Sequence, residues 1–214
     1  MGKIDLSKLG ISGKIGPIVA YVTKDGKQVY RKYTKPANPQ TPKQQAQRQR
    51  FSVATKGLSP FKVVFKQGFP KRKKALSSQV SFAMREAIVG EYPDFRLDYS
   101  ILQVAEGELQ MPVNVSLTID KANRTLRFSW DPTLVYPSQP GKADDHVNVV
   151  YLNEKEKIVQ SLRNVAKRKD GTAIIDLKAE SGKWNLEDMH FWIYLSSFIL
   201  GENSESIYVR FNTL

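Results

Sequence analysis

Val113-Asn114-Val115-Ser116-Leu117-Thr118-Ile119, followed after a short turn by Leu126-Arg127-Phe128-Ser129-Trp130, decides how this chain is read. Apolar and polar residues alternate with a period of two, the mark of a strand with one buried face. Lys121–Asn123 supplies the turn between them. Five more candidate strands follow, at Val147–Leu152, Ile158–Leu162, Ala173–Leu177, Phe191–Phe198 and Ile207–Phe211. Seven short strands from Met111 onward fit an immunoglobulin or fibronectin-III-like β-sandwich over residues 111–214. Trp130 and Trp192 are expected in its core, one from each facing sheet. The chain has no cysteine, which excludes the antibody-type disulfide and favours the fibronectin-III variant. A barrel with a similar number of strands is the alternative.

Working back toward the N-terminus, residues 1–110 read as a basic arm, a β-hairpin and short helices, so the chain as a whole is α+β. Residues 1–16, with Gly10, Gly13 and Gly16 at intervals of three, read as an extended arm. Pro17–Tyr33 reads as a hairpin, with Ile18, Ala20 and Val22 on one strand and Asp25-Gly26 supplying the positive φ angles of the turn. Two strands alone are marginal in water, so this hairpin needs something to pack on. Lys35–Pro42 is a proline-stiffened linker. It ends in a helix start, with Thr41 as N-cap, Pro42 in the first turn and Gln44 closing a capping box. That helix is expected to reach about Lys56, with Gln47, Phe51, Ala54 and Leu58 on its inner face and Phe51 as anchor. Gly57 is its expected stop, with Ser59-Pro60 starting another short helix. Phe61, Phe65 and Phe69 read as core. A further helix is expected over Ala75–Val89, with Leu76, Val80, Met84, Ala87 and Ile88 on one face and Gly90 ending it. Tyr92–Gln110 reads as a connector, extended over Tyr99–Val104.

Charge is the most informative functional signal. Residues 1–74 hold 18 Lys and Arg against Asp5 and Asp25, a net of +16; residues 75–214 hold 15 against 19 carboxylates, a net of −4. Such asymmetry points to a polyanionic or acidic partner for the first third, the alternative being a solvated basic surface. The cations most suited to contact a partner are Lys14, Arg31, Lys32, Arg48 and Arg50, with Tyr30 and Tyr33 beside them. Lys71-Arg72-Lys73-Lys74 is the candidate polyanion-binding patch. Cations interleaved with aromatics are also the chemistry of single-strand binding, so DNA or RNA is the second expected partner class.

Catalytic signals are weak by comparison. Gly10-Ile11-Ser12-Gly13-Lys14-Ile15-Gly16 fails as a phosphate loop, because Ile15 stands where Ser or Thr must hold magnesium and no hydrophobic strand precedes it. His146 follows Asp144-Asp145 with no second histidine nearby, and His190 precedes Phe191-Trp192 on an expected strand. Neither belongs to a recognisable nucleophile–base pair. No catalytic residue, cofactor or metal site is therefore expected. No apolar run approaches the roughly 18–20 residues needed to cross a bilayer. Met1–Gly10, with Lys3, Asp5 and Lys8, does not read as a signal peptide. The expected location is the cytoplasm, or inside or on a virus-like particle.

The run Gly10–Gly16, the hairpin ending in Arg31, and Asn38-Pro39-Gln40-Thr41-Pro42-Lys43-Gln44 leading to Arg48, Arg50 and Phe51 resemble a family common in Bacteroidota genomes. The Asn-Pro-x-Thr-Pro-x-Gln core is also similar to a segment of candidate phage virion proteins. The resemblance covers residues 1–60 and brings no established activity. Lys43 departs from it, since the family often has a small or acidic residue there. It implies an assembly role. The expectation is a non-enzymatic structural or assembly protein of a phage-like particle or other large complex, docking on protein subunits, its own kind included, through the N-terminal arm and hairpin.

Overall fold

The computed structural model describes residues 12–35, 37–120, 123–177 and 188–212. The described chain is mostly β, with short helices and several sheets. It forms two compact units, residues 1–41 and 42–214. The expected boundary at 110/111 falls inside the second unit.

In the first unit, β1 (Gly13–Ile15), β2 (Ile18–Val22) and β3 (Gln28–Lys32) make an antiparallel sheet in that order. The expected hairpin is present, and the described end of the arm adds a third strand, pairing Gly13 with Ala20 and Ile15 with Ile18. Gly10 and the rest of the arm lie outside the described residues. The turn is wider than a two-residue loop. Thr23 N–H donates to Lys27 O and Gly26 N–H to Thr23 O, both at 2.9 Å. Gly26 takes a positive φ (76°) and Asp25 does not.

The second unit begins with α1 (Pro42–Leu58), a 3-10 turn at Ser59–Phe61 and α2 (Lys62–Gly68). Gly57 lies within α1 rather than ending it: a Cβ there would come 2.7 Å from Leu97 Cδ2, so its small size sets the packing distance. Ala54 and Leu58 are buried, but Phe51 is 54% exposed, against expectation. The inner face of α1 is rotated from the expected one, because small residues let α1 sit close to its neighbours and no large side chain is needed there. Phe61, Phe65 and Phe69 are buried as expected.

Next comes α3 (Ala75–Phe82), shorter than expected, continued by a π-turn at Ala83–Ala87. The backbone is then extended over β4 (Ile88–Val89), which pairs with β5 (Arg96–Leu97). The last turn of the expected helix thus becomes a strand, with Gly90 (φ 90°) leading out of it. Tyr99–Ile101 is a 3-10 turn rather than extended.

All seven expected strands from Met111 onward are present. One sheet runs β10 (Thr172–Asp176), β7 (Thr125–Asp131), β6 (Val113–Asp120) and β14 (Phe211–Asn212). The other runs β12 (Glu202–Asn203), β11 (Met189–Ser197), β8 (His146–Asn153) and β9 (Ile158–Lys167), with β13 (Ile207–Val209) also paired to β11. The expected last strand is split at Arg210, β13 joining one sheet and β14 the other. The centre of the turn before β7, residues 121–122, lies outside the described residues.

The two cores explain the arrangement. Leu117, Ile119, Leu126, Phe128, Trp130 and Ile175 share one buried cluster with Val147, Val149, Phe191, Ile193 and Leu195. The opposite face of β8 and β11, Val150, Leu152, Trp192 and Tyr194, joins Leu58, Phe61, Phe65 and Val104 in a second cluster. Trp192 therefore faces the helices, not the other sheet. Successive residues of a strand point to opposite faces, so Trp192 cannot share a side with Phe191 and Ile193. Its indole N–H donates to Leu102 O at 2.9 Å, while Trp130 donates to Arg168 O at 2.8 Å in the inter-sheet core.

Replacing Phe61 by Ala should cost about 3–5 kcal/mol of unfolding free energy. Phe51→Ala should stay within about 0.5 kcal/mol of the parent. Urea titrations of both variants measure this directly; equal losses would contradict the orientation of α1.

Candidate functional site

Three clusters carry chemistry. The first is the N-terminal sheet. Cross-strand pairing puts Ile15, Ile18, Ala20, Val22, Tyr30 and Lys32 on one face. Among the described residues of this unit only Ala20 is buried; Ile15, Ile18, Val22 and Tyr30 are all exposed. Lys14, Tyr21 and Arg31 occupy the opposite face, where Lys14 Nζ sits 3.9 Å from the centre of the Tyr33 ring. Lys14, Tyr30, Arg31, Lys32 and Tyr33 thus belong to one small sheet, divided between its two faces.

In the second unit, Arg48 is exposed on α1. Arg50 is not a free contact residue. Its Nη2 donates to Met84 O at 2.7 Å and its guanidinium lies 5.7 Å from the centre of the Phe95 ring, so it ties α1 to the π-turn.

The second cluster is basic. Lys71 pairs with Glu202 at 2.5 Å, and that hydrogen bond holds its ammonium above its usual pKa. Arg72 pairs with Glu106 at 2.6 Å and donates through Nη1 to Ser78 Oγ at 2.9 Å. Half of the expected polyanion patch is thus neutralised by carboxylates far away in sequence. Lys73 and Lys74 instead line a basin of about 320 Å³ together with Lys62, Lys66, Arg72, Ala75, Leu76 and Ser77. Lys62 and Lys66 were not foreseen as part of this patch. Their spacing of four on α2 was the available signal, since it places both on one helix face.

The third cluster surrounds His190. Its ring nitrogens lie 2.9 Å from Tyr208 Oη and 3.2 Å from Glu154 Oε2. Burial pushes the Tyr208 hydroxyl up, which disfavours a phenolate nucleophile. His146 packs against Phe198, ring centres 6.1 Å apart. Asp144 beside it is held by Lys169 and Lys167 at 2.9 and 3.2 Å, whose hydrogen bonds keep its carboxyl below the usual range. Among the described residues, no group of three or more His, Asp or Glu could hold a metal ion. No helix among them is long and apolar enough to cross a membrane.

Residues 10–210 match the model of a family of unknown function, DUF6266. The chain belongs to this family. No curated protein matches it. Among solved structures it is similar to a Fn3-like protein from Clostridium thermocellum, with 15% identity over 50% of this chain and 97% of that one, at a TM-score of 0.30.

Arg50→Ala should lower stability by about 1–3 kcal/mol, because it strips a charged donor from a half-buried carbonyl. Urea unfolding reads this loss. A second expectation concerns alkaline pH. Burial, and secondarily the charge of Glu154, push the Tyr99 hydroxyl from 10.0 up to about 12. The unfolded chain ionises first, so this contribution to stability is complete below pH 10 and is lost as pH rises through about 12. Tyr99→Phe should therefore show a shallower fall in urea midpoint between pH 10 and 12 than the parent. An unchanged slope would mean that Tyr99 contributes nothing to the alkaline loss.

Proposed function

We propose that this protein is a non-enzymatic assembly protein that docks onto a neighbouring copy of itself through its N-terminal sheet. One observation carries the reading: a three-stranded sheet that buries a single alanine leaves four large apolar side chains on one face in water. A sheet this small gains little from burial on its own, and covering that face would supply what it lacks.

The two-sheet part of the second unit, which we read as a fibronectin-III-like sandwich, would then act as spacer and lateral contact. Its tip at Phe198 and Ile199, 78% and 76% exposed, gives it a second apolar contact point. The resemblance of Asn38–Gln44 to a segment of candidate phage virion proteins supports a phage-like particle as the setting, in a Bacteroidota host, with the protein located in the cytoplasm or on or inside the particle.

Size-exclusion chromatography with light scattering should find the parent larger than one chain at micromolar concentration. An Ile18→Lys/Val22→Lys variant should run as a monomer with an unchanged urea midpoint for the second unit. A parent that stays monomeric, or a variant that associates equally well, would overturn this reading.

A further inference from the structure

We infer that the basin between α2 and the start of α3 binds closely spaced phosphate groups. Lys62 and Lys66 approach from α2, one helical turn apart, and Lys73 and Lys74 from the segment leading into α3. None of these four makes an ion pair among the described residues, and no carboxylate lines the basin. Gathering four ammonium groups around one cavity costs free energy in the empty protein through mutual repulsion. A multivalent anion would turn that repulsion into attraction.

The start of α3 adds to this. Its first turn holds no acidic residue, and Lys74, at the N-cap, makes no side-chain capping bond. Ala75, Leu76 and Ser77 form the basin wall, and Ser78 N–H is bonded to Lys74 O at 3.0 Å. The N–H groups ahead of Ser78 belong to the helix end that lacks intrahelical partners and carries partial positive charge. Arg72, clamped between Ser78 and Glu106, fixes the approach to the helix and leaves the ligand to the lysines.

The lining also limits the ligand class. Among the described residues no aromatic side chain lines the basin, so bases find no stacking platform there and the phosphates must carry the binding. Two sources share that chemistry: a free polyphosphate, and the backbone of a nucleic acid. The inference does not depend on the docking role of the N-terminal sheet, and its failure would leave that reading intact.

The full-length chain should be titrated with sodium tripolyphosphate by calorimetry and with a fluorescein-labelled DNA duplex by anisotropy. The Lys62→Glu/Lys66→Glu/Lys73→Glu/Lys74→Glu variant should weaken each interaction the parent shows by at least about tenfold. A control with the same charge change at exposed cations outside the basin, Arg127→Glu/Lys142→Glu/Lys155→Glu/Lys157→Glu, should stay within about twofold. Duplex affinity should fall about a hundredfold for a fourfold rise in salt if roughly four phosphates are contacted. Tripolyphosphate binding alone would identify a free polyphosphate site, and lysine-dependent duplex binding a backbone site. Lys→Gln changes at the same four positions repeat the comparison without charge reversal. The inference is overturned if neither probe binds the parent, or if both charge-reversed variants lose binding equally.

Discussion

The strand pair β8–β11 is buried on both faces, and the second unit is organised around that constraint. Phe191-Trp192-Ile193-Tyr194-Leu195 has no polar residue, and all five side chains are buried. A strand of this kind has no face it can show to water, so one layer must cover each side. The other sheet takes the Phe191, Ile193 and Leu195 side, and the helices take the Trp192 and Tyr194 side. Even the polar atom of Trp192 is satisfied locally, by the Leu102 carbonyl.

Against that well-covered framework, the two functional surfaces stand out for opposite physical reasons. The N-terminal sheet has apolar side chains without enough cover. The basin has four lysines that make no ion pair among the described residues. The protein does neutralise basic groups elsewhere: Glu202 and Glu106 hold Lys71 and Arg72, and Asp144 holds Lys167 and Lys169. Surface pairs of this kind are individually worth little. What they change is the pattern of charge: Lys71 and Arg72 are paired, whereas Lys62, Lys66, Lys73 and Lys74 make no ion pair among the described residues.

Much of the fold was legible from residue order alone. Period-two alternation marked β6 and β7, and the Phe61–Phe69 spacing marked buried helix faces. The errors have specific causes. Trp192 faces the helices and not the other sheet, where the sequence reading places it, because an unbroken apolar run does not say which side faces what. The face of α1 was misread because a helix of Gln, Arg and Ala offers little contrast, and its close packing relies on Gly57 rather than on the large Phe51. The basin was half visible. Lys73 and Lys74 form a run in the sequence, but their convergence with Lys62 and Lys66 needs the bend between α2 and α3. The loss of Lys71 to Glu202 needs contact across 131 positions, which no local pattern records.

Separations of that size bear on how the chain comes off the ribosome. Asn203 Nδ2 donates to Gln67 O and Gly68 O, 136 and 135 positions earlier. Trp192, which meets the Phe61 ring edge-on at 5.6 Å, arrives similarly late. Until translation reaches β11, the cluster of Phe61, Phe65 and Phe69 lacks the sheet that covers it. A nascent chain in that state is sticky, and topologies dominated by distant contacts fold slowly. Within the second unit the helical layer is thus synthesised first and covered last.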